Sequence, residues 1–271
     1  MGFEILWQGL IGKDQIEMKK VPSTLKLFSI EDQQKFQKLL SEKPDFKDWP
    51  KLRYEGVKEI DSGIIVKVSD TSYLPHFVLR KEKGRDKKPL TPENIQYPNP
   101  ASINAVPITS DNFLVIGVKG GISDQRGVGA IGGFLNVEPP ENLITATIRE
   151  TIEETVGLEK SDIDVPNLRT MGAVYGFNRD TTFATYEPLK CKADKFGLSE
   201  KEHAAKITIP TTEKRLQLFL DGDIEGAAYD IKWNDPNSEK TYNQGRMKMF
   251  AVDHCNGDVY LLLENKKAGR I

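Results

Sequence analysis

Three glutamates near the middle of the chain have the spacing needed to bind a divalent cation, and an arginine directly precedes them. Glu150, Glu153 and Glu154 follow Arg149, and on an ideal helix the three carboxylates lie within about 100° of one another. Carboxylates so placed repel one another, so a plain surface helix gains no stability from them. A hard cation such as Mg²⁺ reverses that balance, because it prefers oxygen ligands. The pattern indicates a metal site, with a solvated acidic face as the alternative.

A single helix is predicted to position these side chains. Apolar residues recur at every fourth position on nearly the opposite side, at Ile144, Ile148, Ile152 and Val156. One face of the helix should therefore enter a core while the other presents the carboxylates. Upstream, Gly132 and Gly133 permit a tight turn and a close approach of backbone to a ligand. Glu141 lies eight positions before Arg149 and is placed to pair with it across the loop and helix.

The stretch from Gly132 to Leu158 resembles the Nudix box. That motif is a glycine, five residues, Glu, seven residues, then Arg-Glu-apolar-any-Glu-Glu-any-Gly-apolar. The match consists of Glu141, the gap of seven residues after it, and the pairs Arg149-Glu150 and Glu153-Glu154.

The chain departs from the Nudix box at three points. Seven residues rather than five separate Gly133 from Glu141. Thr151 occupies a position that is normally apolar, and Val156 is an extra residue before Gly157. The extra residue predicts a helix or a cap one residue longer than usual. None of these changes alters the spacing of the three glutamates.

The resemblance implies an α+β fold, a Nudix α/β/α sandwich with a mixed sheet, and hydrolysis of a pyrophosphate bond. Mg²⁺ or Mn²⁺ would be held by Glu150, Glu153 and Glu154 with the backbone carbonyl of Gly133. Arg149 would orient a box carboxylate. Further ligands or general bases are expected among loop acids, either Glu200 or Glu202. The products would be a nucleoside monophosphate and a phosphorylated group X.

Substrate contacts are expected on both sides of the box. Arg126 is either a phosphate or leaving-group contact or a surface residue. The aromatic residues of the segment 168–190 either stack on a base or pack in the core, with packing favoured: Tyr175, Phe177 and Phe183. The segment VSDTSYLPHF, residues 68–77, is similar to one that precedes the Nudix domain in the UDP-glucose type of the UDP-sugar-cleaving branch, which points to nucleoside diphosphate sugars.

Composition narrows the classes of partner. Lys and Arg number 38 against 40 Asp and Glu, a net charge of −2, which disfavours a nucleic-acid surface and an RNA-processing member of the family. Two cysteines, Cys191 and Cys255, fit a reducing compartment. With neither a signal peptide nor an apolar run of about 20 residues, a cytoplasmic protein without membrane contact is expected. A homodimer is among the options for its assembly.

Prolines near residue 98 predict a boundary between an N-terminal α+β region, 1–98, and a Nudix domain, 99–271. Strands are predicted near 3–7, within 52–79 around a turn at 61–63, within 102–119, within 168–190 around a turn at 178–180, and over 225–233. Helices are predicted over 29–41, with Ser29 as N-cap, and around 244–255. The basic loop 80–94 is expected to be solvated, and Asp253-His254-Cys255 to be structural.

Two functional classes remain open. The first is a magnesium-dependent hydrolase acting on a nucleoside diphosphate linked to a sugar or another group. The second is a Nudix domain that has lost turnover and binds a nucleotide metabolite as a sensor or scaffold. The three box glutamates favour the first class, since a binding module does not need all of them, whereas the irregular box favours the second.

Overall fold

A computed structural model of the chain describes residues 3–25, 28–79, 98–119, 125–138, 140–176, 180–245 and 248–271. The basic loop 80–94, Phe177 and the predicted turn residues 178 and 179 lie outside these ranges. Among the described residues, no helix has both the length and the apolar composition needed to cross a bilayer.

The strands of the described residues fall into three sheets. They are β1 (Phe3–Ile11), β2 (Ile16–Lys20), β3 (Pro50–Ile60), β4 (Gly63–Ser72), β5 (Ala101–Ile108), β6 (Phe113–Lys119), β7 (Gln125–Gly129), β8 (Ile131–Phe134), β9 (Thr155–Val156), β10 (Arg169–Gly176), β11 (Thr181–Pro188), β12 (Gly197–Leu198), β13 (His203–Pro210), β14 (Asp230–Trp233) and β15 (Lys248–Ala251).

The α-helices alternate with these strands along the chain. They are α1 (Ile30–Glu42), α2 (Tyr73–Leu79), α3 (Leu143–Glu154), α4 (Glu213–Leu220), α5 (Ile224–Ala227), α6 (Pro236–Asn243) and α7 (Asp253–Lys267).

One large mixed sheet organises the fold. Its main path runs β1-β10-β11-β5-β6-β13-β14, with β8 paired to β5 and β7 lying between β6 and β15. The β5–β11 and β7–β15 pairs are parallel, and the other pairs are antiparallel. The predicted strands within 102–119 and 168–190 are therefore present as β5, β6, β10 and β11.

Helices cover both faces of this sheet. On one face α3 packs against β5, β8 and β11, and on the other α7 packs against β10, β1 and β11, beside α4. A separate hydrophobic core lies on each side. Leu143 and Ile144 of α3 belong to the first core, and Val259 and Leu262 of α7 belong to the second. The predicted α+β architecture, an α/β/α sandwich with a mixed sheet, is confirmed.

The N-terminal region packs directly onto the remainder of the chain. Its three-stranded sheet, ordered β2-β4-β3, shares one core with the layer that contains α3. Leu52 and Val66 of the small sheet and Ile103 and Leu143 of the larger unit are members of that core. Strand β1 is itself an edge of the large sheet, paired with β10. The division at residue 98 stays a prediction, and strand pairing crosses it.

The amino-terminal helix forms where the sequence predicts it, whereas α2 replaces an expected strand. Helix α1 begins after Ser29, whose hydroxyl accepts a hydrogen bond from the backbone N of Asp32 at 3.1 Å. The strand pattern expected up to Leu79 is wrong, because the chain turns into α2 at Tyr73. The Asp48 carboxylate, from 26 residues upstream, accepts the Leu74 backbone N–H at 2.7 Å and satisfies a free donor of that first turn.

Two predictions near the carboxyl end are corrected. The strand expected over 225–233 begins only at Asp230, because Ile224–Ala227 form α5. The helix expected around 244–255 is wrong: residues 248–251 form β15, which pairs with β7, and α7 begins at Asp253. Strand β15 forms because the distant strand β7 supplies its backbone partners. Cys191 and Cys255 are free and buried, and the His254 imidazole contacts the Asp180 carboxylate at 3.1 Å, so the Asp253-His254-Cys255 run lies in packed structure.

Candidate active site

The helix that carries the box glutamates is α3, and its N-terminus is capped by Asn142. The Asn142 side chain accepts a hydrogen bond from the Ile144 backbone N at 3.0 Å. The helix ends at Glu154, and Thr155-Val156 form β9, so the extra residue lengthens a strand and not the helix. Gly157 then has a φ of +85°, a conformation that favours glycine.

The orientation of α3 differs from the predicted one. Val156 lies outside the helix with 60% of its surface exposed, whereas Thr147 and Thr151 are fully buried. The inward side therefore includes Glu150 and Glu154, which are 9% and 7% exposed, while the Glu153 side chain is 58% exposed. Two of the carboxylates consequently lie between the helix and the sheet, where the surroundings strengthen electrostatic interactions.

Arg149 connects the helix to the loop that precedes it. Its guanidinium forms a two-point contact with Glu141, from Nε to Oε1 at 3.0 Å and from Nη2 to Oε2 at 2.8 Å. The same group donates to the Phe134 carbonyl at 3.2 Å, to Glu153 at 3.2 Å and to Glu150. The hydrogen bond to Glu141 is the main reason that the pKa of Arg149 is raised. The predicted Glu141–Arg149 pair is confirmed.

The Glu150 carboxylate lies against the backbone of Gly133. A side-chain carbon at position 133 would overlap that carboxylate, so glycine is what permits the close approach. Gly133 pairs with Ile103 across β8 and β5, which fixes its place in the sheet. Burial raises the pKa of Glu150, although Arg149 opposes the rise.

Glu154 is paired with two side chains from the neighbouring strands, His203 and Lys119. Its Oε2 lies 2.6 Å from Nε2 of His203 on β13 and 3.5 Å from Nζ of Lys119 on β6. Burial alone would raise the pKa of Glu154, but the hydrogen bond from His203 and the charge of Lys119 outweigh it, and the pKa is lowered. Gly117 provides the space for the His203 ring, because a side chain there would overlap it. Glu154 is therefore held in its ionised form.

The sequence did not indicate His203, Lys119 or Lys51 as members of the site. His203 directly follows Glu202, and its β-strand context gives no sign of its partner. Lys51, on β3, is close enough to Glu150 and Arg149 for their charges to influence its pKa, which burial lowers. Its Nζ lies 4.5 Å from the ring centroid of Phe134. No local signal could have found these contacts, since each joins residues at least 35 positions apart.

The remaining predicted site residues occupy varied positions. Glu200 and Glu202 are exposed in the turn before β13. Tyr175 is 8% exposed and Phe183 is fully buried against Tyr54, as the packing alternative predicts. The side chain of Arg126 and all of Phe177 lie outside the described residues. Their roles in binding substrate stay predictions.

The donor types around α3 suit a hard divalent cation. Two ionisable carboxylates are buried on one side of the helix, beside a glycine whose missing side chain leaves room for Glu150. Within the described ranges, however, no three Asp, Glu, His or Cys side chains are grouped closely enough to hold a metal ion. Arg149 and Lys119 supply positive charge beside these carboxylates, and His203 places a ring nitrogen within hydrogen-bond distance of Glu154.

Comparison with known proteins gives weak structural similarities. No protein-family model matches the chain, and no curated protein matches it. One similar solved structure is a bifunctional NMN adenylyltransferase/ADP ribose pyrophosphatase from Francisella tularensis, complexed with AMP and a Mn ion. It has a TM-score of 0.34 and 16% identity, over 61% of this chain and 41% of that one. The present chain thus spans less than half of that protein.

Two further solved structures are matched over a larger share of their own length. A NUDIX hydrolase from Nitrosomonas europaea has a TM-score of 0.29 and 14% identity, over 63% of this chain and 89% of that one. An ADP compounds hydrolase has a TM-score of 0.34 and 13% identity, over 83% of this chain and 100% of that one. The structural neighbours are thus Nudix hydrolases and pyrophosphatases, at a similarity too low to support an argument about activity. That argument depends on the residues of the site.

Proposed function

We propose that this protein is a Nudix-type hydrolase that cleaves the pyrophosphate bond of a nucleoside diphosphate linked to another group. The observation that carries the proposal is the state of Glu154. It is buried, yet its pKa is lowered by His203 and Lys119. It lies one helical turn from Glu150, which accepts a hydrogen bond from Arg149. Burying an ionised carboxylate next to a second one costs stability, and perturbed groups of this kind cluster at functional sites.

Hydrolysis of a pyrophosphate bond would give each of these residues a specific role. Water attacks one phosphorus, the bond from that phosphorus to the bridging oxygen breaks, and a carboxylate accepts the proton from the water. Glu150, Glu153 and Glu154, with the Gly133 carbonyl, would hold Mg²⁺ or Mn²⁺, which when bound neutralises phosphate charge and lowers the pKa of bound water. Arg149 keeps Glu150 and Glu153 in place. Glu202 is the alternative proton acceptor.

We further propose a nucleoside diphosphate sugar as the substrate class, giving a nucleoside monophosphate and a sugar phosphate. The segment 68–77 that carries the resemblance to the UDP-glucose type ends β4 and begins α2. Its Tyr73 ring lies 6.0 Å from the ring of Phe134, the residue after Gly133. The segment is thus adjacent to the loop that leads into α3, where it could influence the choice of substrate.

One observation favours the second candidate, a domain that binds a nucleotide metabolite without turnover. Each box carboxylate already has a partner from the protein, namely Arg149 for Glu150 and Glu153, and Lys119 and His203 for Glu154. A ligand ion would have to replace these partners or add to them. Such pairing stabilises the free protein and raises the cost of loading a metal.

Turnover of a substrate panel separates the two candidates. UDP-glucose, ADP-ribose, dinucleoside polyphosphates and oxidised nucleoside triphosphates are incubated with Mg²⁺, with Mn²⁺ and with EDTA. Release of phosphorylated products that requires the cation supports the hydrolase, with the highest kcat/KM expected for a nucleoside diphosphate sugar. Saturable binding of one of these compounds without any product identifies the binding domain instead.

Replacing Arg149 with lysine is expected to lower kcat/KM roughly 10- to 100-fold, which is the usual effect of removing a group that orients metal ligands. Lysine keeps the charge but cannot make the two-point contact with Glu141 while also holding Glu150 and Glu153. Steady-state kinetics at saturating Mg²⁺ measure the loss. Lys58→Met, on the exposed side of β3, serves as a control for general effects. Wild-type kinetics in Arg149→Lys would show that the orienting role is wrong.

A further inference from the structure

A cleft of about 810 Å³ lies between strand β3 of the N-terminal sheet and the loop that leads into α3. One wall is formed by the beginning of β3, and the other by the loop residues. The lining includes Trp49, Lys51, Asn136, Glu138 and Glu141. The volume is within the range of small-molecule sites. Because Glu141 holds Arg149 by two hydrogen bonds, the cleft borders the box carboxylates without containing them.

Lys51 supplies a cation at the inner end of the cleft. Its ammonium group lies over the Phe134 ring at 4.5 Å and the Tyr73 ring at 5.9 Å. Within the described part of the chain, this ammonium group forms neither a hydrogen bond nor an ion pair with a carboxylate, and the residue is partly buried. A partly desolvated ammonium beside aromatic rings is a strong site for an anionic group, since water competes less for it.

Trp49 supplies a flat apolar surface at the outer end. Its indole is 55% exposed, although its backbone is fixed by a hydrogen bond from the Tyr73 N to the Trp49 carbonyl at 2.9 Å. The Lys47 ammonium lies 5.6 Å from its ring centroid. A large exposed aromatic ring with a fixed backbone, next to polar groups, is typical of surfaces that stack on a sugar or a base.

We propose that this cleft binds the phosphorylated ring on the X side of the substrate, with Lys51 contacting its phosphate and Trp49 stacking on the ring. The inference rests on the proposed function, because it assigns the half of the substrate that leaves as phosphorylated X. Asn136 and Glu138 provide polar groups for ring hydroxyls. The N-terminal region thereby becomes a determinant of specificity, since it contributes both Lys51 on β3 and Trp49 just before that strand. Two sources share this chemistry, a sugar 1-phosphate from a nucleotide sugar and a ribose 5-phosphate from an ADP-ribose-like compound.

The test uses the full chain and measures binding apart from turnover. Glucose 1-phosphate and ribose 5-phosphate are titrated in EDTA, with tryptophan fluorescence and calorimetry as the readouts. We expect one of the two to quench the fluorescence, and we expect the quenching to disappear in Trp49→Phe and to remain in Trp233→Phe. Lys51→Met should raise the Kd at least tenfold, whereas Lys58→Met, an exposed lysine on the same strand, should leave it unchanged. Binding of glucose 1-phosphate would identify a nucleotide sugar as the source of the phosphorylated ring, and binding of ribose 5-phosphate would identify an ADP-ribose-like compound.

Kinetics of UDP-glucose and ADP-ribose hydrolysis then separate this inference from the proposed function. We expect Lys51→Met and Trp49→Ala to raise KM by a larger factor than they lower kcat. Mg²⁺-dependent turnover with wild-type Kd and KM in both variants would overturn the cleft assignment and leave the hydrolase in place. Binding that depends on Lys51, without turnover of any substrate, would support the cleft and refute the hydrolase. Failure of both sugar phosphates to bind the wild-type chain would overturn the inference.

Discussion

Glu154→Gln is expected to reduce Mg²⁺-dependent hydrolysis by a factor of about 10³ or more, because several kcal/mol of transition-state charge stabilisation depend on the metal. Glutamine keeps the size of the side chain and can still accept a hydrogen bond from His203, which now lies 2.6 Å from Oε2. It cannot supply the negative charge that Lys119 and His203 compensate. Initial rates at several Mg²⁺ concentrations measure the loss, and thermal unfolding checks that the fold is kept.

A matched control for this variant is Glu42→Gln, which makes the same chemical change on the exposed side of α1. It should retain wild-type rates. Metal titration by calorimetry in the presence of a nucleotide adds a readout besides activity, and Glu154→Gln should weaken Mg²⁺ or Mn²⁺ uptake. Unchanged activity in Glu154→Gln would refute the assignment of this residue, and Mg²⁺ uptake that is equal in both variants would place the cation elsewhere.

The change in the free energy of unfolding with pH is expected to differ between Glu187→Gln and the wild type by up to about 5 kcal/mol. Each pH unit between the folded and unfolded pKa values corresponds to about 1.36 kcal/mol. Glu187 lies on β11 and is fully buried, and burial raises its pKa from 4.5 to about 8. Between these two pH values the folded chain retains a proton that the unfolded chain has released. The Glu187 contribution to stability therefore falls as pH rises from about 4.5 to about 8, and is constant above that range.

Glutamine does not titrate, so the variant lacks this loss of stability. The free energy of unfolding of Glu187→Gln minus that of the wild type should increase steadily from pH 4.5 to pH 8, as measured by urea denaturation at several pH values. Glu17→Gln, at an exposed position of β2, should show no comparable trend. A difference between variant and wild type that is flat over this range would show that Glu187 is ionised in the folded protein.

Glu187 also explains one departure from the Nudix pattern. Thr151 stands where an apolar residue is usual, and its hydroxyl donates a hydrogen bond to Glu187 Oε2 at 2.8 Å. An apolar side chain at 151 would leave that oxygen without a donor, at a cost of about 1 to 3 kcal/mol. The two polar residues are buried as a pair, 36 positions apart in the sequence. The unusual threonine is therefore a packing feature of the sheet–helix interface and does not disturb the spacing of the box glutamates.

The features that could be predicted from the sequence are those whose partners lie close together along the chain. Ser29 predicts the start of α1 because a hydroxyl at that position can accept a backbone N–H of the first turn, and it does so. The spacing of Glu141 and Arg149 predicts their pair, which forms across one short loop. Most strands of the large sheet were also predicted from local alternation and turns, whereas the α+β class was implied by the resemblance to the Nudix box. Within the box helix, spacing placed the glutamates near one another, but it did not say which of them is buried.

The features whose partners lie far apart along the chain could be seen only in the folded structure. Helix α2 replaces a predicted strand because Asp48 and the Trp49 carbonyl accept the N–H groups of its first turn, and β15 replaces a predicted helix because β7 pairs with it. Glu150 and Glu154 turn inward because Gly133 leaves space for one and His203 holds the other. The physical reason is the same in each case: local propensities differ by less than about 1 kcal/mol per residue. Burial against a remote segment, or a charge contact with one, therefore outweighs these local propensities. Such contacts cannot be predicted from the spacing of residues in the sequence.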